Sequence, residues 1–107
     1  MLVSLFAIMS MAVSAGIIDY STDDGFWYKL DTEAKTAELA YYNGSATEVS
    51  ISESVTYEGV VYSVTSLGEA CFYNCSSLTS INIPSSVTSL GGSCFNGCSS
   101  LTSINIP

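Results

Sequence analysis

Four cysteines in two Cys-x3-Cys pairs, Cys71/Cys75 and Cys94/Cys98, are the residues of this 107-residue chain whose type and spacing could most readily do chemistry. Thiolates so spaced invite zinc, but the chain contains no histidine, and the pairs lack the ligand clusters of structural zinc sites. The missing histidine also removes the commonest general base, and no serine stands in a recognisable nucleophile elbow. Asp23, Asp24 and Asp31 would offer a carboxylate pair or a calcium site. Asp23-Asp24-Gly25 reads more simply as a turn, however, and the calcium-loop signature with its closing glutamate is not met. The sequence thus implies no catalytic, cofactor-binding or metal-binding residues.

Two further groups bear on recognition. Phe26, Trp27, Tyr28, Tyr41 and Tyr42 would make a platform for carbohydrate or peptide if their rings faced outward; packing is the plainer reading, and strand alternation leaves some of them exposed. Asn43-Gly44-Ser45 and Asn74-Cys75-Ser76 satisfy the N-glycosylation pattern, as short polar sequences often do.

The elements that would position these residues announce themselves by repetition. Cys71 to Pro84 returns as Cys94 to Pro107 with twelve of fourteen positions identical, and Val64 to Gly68 returns as Val87 to Gly91, both at a spacing of 23 residues. A period in this range with a Leu-x-x-Ile-x-Ile core belongs to the leucine-rich-repeat solenoids, with one strand per coil. Leu78, Ile81 and Ile83 would turn inward, and Pro84, lacking an amide, would end the strand. Val87 and Leu90 begin the return path, Gly91 and Gly92 permit the bend, and Phe95 fills the gap between the two walls. Phase-locked at one period, the cysteines stack on their copies as small buried hydrophobes, which explains them better than a metal does. Disulfides between 71 and 94 or 75 and 98 also lie within geometric reach, because adjacent coils are about 5 Å apart. Outward, Thr79, Ser80 and Asn82 with Thr102, Ser103 and Asn105 form an uncharged hydrogen-bonding ladder, the candidate ligand-binding face.

The run Cys-Phe-x-x-Cys-Ser-Ser-Leu-Thr-Ser-Ile-x-Ile-Pro-x-Ser-Val-Thr-Ser-Leu-Gly closely resembles the BspA-type leucine-rich repeat. The resemblance covers residues 64–107 directly, and residues 25–63 are similar to the β-rich lead-in that such proteins place before their first repeat. It implies surface adhesion, with binding to extracellular host proteins or to other cells.

Before the repeats the pattern is strand-like at Phe26 to Leu30, Thr36 to Tyr42 and Thr47 to Ile51, with Asn43-Gly44 as a hairpin turn. A second hairpin, Val55 to Tyr57 and Val60 to Tyr62 about Glu58-Gly59, feeds the first repeat. The expected fold is therefore mainly β, a leucine-rich-repeat solenoid of 23-residue repeats preceded by a β-hairpin-rich N-terminal cap. Residues 16–63 form the cap and 64–107 the repeats, an array that reads as truncated because it stops just after a strand. Residues 1–15 are apolar and end in Val13-Ser14-Ala15, which suits a signal peptide without the usual basic start; a buried strand or helix is the alternative.

All ten acids and both lysines lie between Asp19 and Glu69, and the net charge of −8 gives no footing for nucleic acid or an anionic membrane. The expected function is that of a non-catalytic secreted or cell-surface protein binding extracellular or host proteins, with glycans as further candidates. No nucleic acid and no membrane insertion of the mature part are expected. The alternatives are a non-catalytic binding module at the N-terminus of a larger exported enzyme, and a purely structural solenoid.

Overall fold

Alternating apolar residues and short polar turns give nine strands in the computed structural model, which describes residues 16–107; the expected signal peptide lies outside those residues. They are β1 (Ile17–Ser21), β2 (Phe26–Asp31), β3 (Thr36–Tyr42), β4 (Glu48–Ser50), β5 (Ser54–Tyr57), β6 (Val60–Leu67), β7 (Ser80–Asn82), β8 (Ser89–Leu90) and β9 (Ser103–Asn105). One sheet runs β1-β2-β3-β6-β5 with β8 also on β6, and the other runs β4-β7-β9. The mainly β solenoid implied by the sequence is thus observed, with two walls per coil.

The first three strands form an antiparallel meander. Asp31 shapes the β2–β3 turn by accepting the amides of Glu33 and Ala34, each at 3.0 Å. Within the β2–β3 pair the register slips, so that Trp27 faces Tyr41 and Tyr28 faces Leu39, leaving Ala40 as an extra residue. Such a bulge reverses the inside–outside phase of a strand. Ala37 and Leu39 are buried before it and Tyr42 after it, while Tyr41 is turned outward.

Asn43-Gly44 departs from expectation. It does not close a hairpin, because β3 runs parallel to β6 and β4 parallel to β7, so the chain here crosses from one wall to the other. The driving force is burial of Val49 and Ile51 in the core, achieved by joining the repeat strands. Glu58-Gly59 does close the expected hairpin between β5 and β6, with φ of 50° and 80° at its two central residues, the signs of a type I′ turn.

The repeat period appears on both walls: Ser80 pairs with Ser103 and Ser66 with Ser89, each 23 residues apart. Glu48 pairs with Ser80 at a spacing of 32, nine residues more, and the excess is taken up by the hairpin arm of β5 and the first half of β6. Between coils the backbone is stitched by Phe72 N–H to the Cys94 carbonyl at 2.8 Å, Ala70 to Gly92 at 2.9 Å and Thr102 to Thr79 at 2.9 Å. Left-handed residues recur in phase, Ala70 with Ser93 and Asn74 with Gly97.

A chain of aromatic rings runs along the coil axis: Tyr57, Tyr20, Tyr28, Phe26, Tyr42, Phe72 and Phe95, with successive centroids 4.8 to 6.4 Å apart. Phe72, between Tyr42 and the last ring of the series, is wholly buried. Removing this ring opens a cavity in a filled layer, so Phe72→Ala should cost about 3–5 kcal/mol in urea unfolding, and Phe95→Ala, only partly buried, distinctly less.

Gly91 and Gly92 were expected to bend the chain, but neither has a positive φ. Gly91 is needed for close approach instead: a Cβ there would run into the backbone of Gly68 and Glu69, whereas one on Gly92 would meet nothing. Gly91→Ala should therefore lower stability by about 1–3 kcal/mol, and Gly92→Ala should leave the urea midpoint nearly unchanged.

Candidate binding face

The wall β4-β7-β9 builds the candidate face from three strands of three residues. Val49 and Ile81, the middle residues of β4 and β7, point inward and are buried, so the residues flanking them must face solvent. Register then sets two columns across the strands, Glu48–Ser80–Ser103 and Ser50–Asn82–Asn105. The Asn82 amide donates to the Ser50 hydroxyl at 3.1 Å, tying its column together.

Of the residues singled out from sequence, Ser80, Asn82, Ser103 and Asn105 thus share one surface. Thr79 and Thr102 sit one position earlier, and each hydroxyl reaches back to the preceding coil. Thr79 Oγ1 donates to the Thr47 carbonyl at 2.9 Å and Thr102 Oγ1 to the Thr79 carbonyl at 3.3 Å. Glu48 and Ser50 were missed. Their signal was present, since Thr47-Glu48-Val49-Ser50-Ile51 has the same alternation as Thr79-Ser80-Ile81-Asn82-Ile83, but the irregular spacing hid it. Glu48 is the one charged residue in the two columns.

The cysteines are free and act as staples between coils. Cys71 Sγ donates to the Leu39 carbonyl at 3.2 Å, and Cys98 Sγ to the Phe72 carbonyl at 3.0 Å. Among the described residues no cluster of His, Cys, Asp or Glu is arranged to hold a metal ion. Asp23 and Asp24 lie in the β1–β2 turn, where Asp24 accepts the Thr22 hydroxyl and Gly25 takes a φ of 102°. Among the aromatic candidates, Tyr28 and Tyr42 are buried and Phe26 half-buried, whereas Trp27 and Tyr41 are exposed.

The neighbouring Cys94 and burial hold the Cys71 thiol well above the usual thiol range, while the same pairing lowers Cys94, and burial followed by the charge of Asp24 raises Tyr28.

The geometry has a clear counterpart among known proteins. A family profile described as the BspA type leucine rich repeat region (6 copies) matches residues 34–107 of this chain. The chain belongs to the BspA-type leucine-rich-repeat family. A leucine-rich repeat protein from Bacteroides capillosus ATCC 29799 superposes with a TM-score of 0.75 at 29% identity, over 82% of this chain and 64% of that one. A leucine rich cell surface protein from Faecalibacterium prausnitzii A2-165 gives 0.74 at 30% identity, over 83% and 23%. A leucine-rich repeat protein from Bacteroides ovatus ATCC 8483 gives 0.74 at 36% identity, over 84% and 24%. The chain therefore spans less than two thirds of each of these relatives. A comparison with curated proteins gives no significant match. The BspA-type profile begins at residue 34, so it reaches back over β4 as well as the regular coils.

Because the folded thiol and phenol hold their protons more tightly, the unfolded chain releases protons first as pH rises. The stability tied to these groups is full below about pH 8.5, the ordinary thiol pKa, and is lost above it. The urea midpoint should fall on going from about pH 8 to about pH 10, and fall less in Cys71→Ala. A thiol reagent at neutral pH should modify half-buried Cys75 and Cys98 first and buried Cys71 and Cys94 only on unfolding.

Proposed function

We propose that this chain is a non-catalytic binding module of a secreted or cell-surface protein, and that it holds extracellular or host proteins on the face built by β4, β7 and β9. The observation that carries this reading is the register of Ser80 with Ser103 and Asn82 with Asn105, which repeats one uncharged donor–acceptor pattern from coil to coil. A regular column of this kind suits an extended ligand, whose own polar groups recur at strand spacing. Thr79 and Thr102 belong to the same face as supports, since their hydroxyls hold the coil edges together while keeping acceptor lone pairs free. Residues 16–63 act as the cap and contribute β4 as the first rung.

Export is supported by the apolar run 1–15 with small residues before Gly16. One similar structure is described as a cell surface protein.

The test is surface binding of the whole chain to a panel of matrix proteins and cell surfaces. Asn82→Lys combined with Asn105→Lys should weaken a positive interaction at least about tenfold, while the melting temperature stays close to wild type, because both residues lie on the solvent side. Undiminished binding by the double variant would remove this face from consideration, and a panel without any binder would remove the module's proposed role.

A further inference from the structure

The outer face of the other sheet carries a second surface with different chemistry. Trp27 and Tyr41 lie directly opposite one another in the β2–β3 pair, 46% and 44% exposed. Their pairing is produced by the bulge at Ala40: without the extra residue, the phase of β3 would send Tyr41 inward and Tyr42 outward. The two rings border an open hollow of about 350 Å³ that Tyr28, Ala40 and the polar residues Asp19, Lys29 and Asn43 also line.

We infer that this hollow is a carbohydrate site, taking a neutral oligosaccharide whose apolar ring face stacks on Trp27 and Tyr41. Three observations choose that occupant. Flat exposed aromatic rings offer contact area to a pyranose ring at low entropic cost. The polar lining is electrically balanced, because Lys29 Nζ lies 3.2 Å from Asp19 Oδ1, and it presents donors and acceptors side by side, as vicinal hydroxyls require. A cationic ligand would instead have to compete with Lys29 for Asp19. Finally, β2 and β3 are interior strands whose backbone groups are committed to β1, to each other and to β6, so no extended peptide can add as a strand here.

The site is independent of the face proposed above, which lies on the opposite wall, and the chain supplies its own reporter because Trp27 is its single tryptophan. The experiment titrates the whole chain with cellohexaose, maltohexaose and chitohexaose, with hexa-arginine as a contrasting probe, and reads tryptophan emission. At least one neutral sugar should give a saturable shift that survives high salt and weakens about tenfold or more in Tyr41→Ala. Calorimetry should show the same loss in Trp27→Ala, with circular dichroism unchanged in both variants, and no loss in Asn82→Lys combined with Asn105→Lys. Sugar binding that persists in Trp27→Ala and Tyr41→Ala overturns the inference, as does a response to hexa-arginine alone or to none of the probes.

Discussion

No coil of this protein can bury its own core, and that constraint shapes everything else in it. The coil is one strand thick in each direction, so a side chain pointing inward is covered only if another layer lies on top of it. The two copies of the repeat make the dependence visible. Ile81 and Ile83 are 1% and 2% exposed between neighbouring coils, whereas their copies Ile104 and Ile106 are 44% and 61% exposed. Sequence is identical at these positions, so the difference comes from stacking alone.

Stacking in turn decides what each position tolerates. The coils approach closely enough that Gly91 must remain without a side chain over Gly68, and backbone amides bridge the same gap along the turn side. Residues usually read as surface or redox chemistry are drawn into this task. Threonine hydroxyls and cysteine thiols both donate to carbonyls of the preceding coil, so polar atoms serve cohesion without a buried charge.

Much of this was legible in the residues. The near-identity of two 23-residue units set the register of β7 with β9 and of β6 with β8, and with it the inward set Leu78, Ile81 and Ile83. Four of the six candidate face residues could be placed from alternation alone. What stayed hidden was irregular. β4 stands 32 residues before its partner, and its apolar Val49 and the Ile51 just after it are too few to signal a repeat unaided. Asn43-Gly44 has ideal hairpin composition but sits at a crossover, because long-range burial outweighs local turn preference. The bulge at Ala40 leaves no mark in composition, yet it decides which of two adjacent tyrosines joins the aromatic column and which meets solvent. Strand β1 falls within the expected cap but is not among the strands legible in the sequence.

The equal interval on the two walls has a genetic corollary. Since equivalent residues on both sides are separated by the same 23 positions, duplicating or deleting one such unit in the coding DNA returns every strand to a partner of the same kind. Unequal recombination between neighbouring copies thus lengthens or shortens the rod while the hairpins at its head keep their contacts, and reach becomes a trait that evolution adjusts without redesigning the fold.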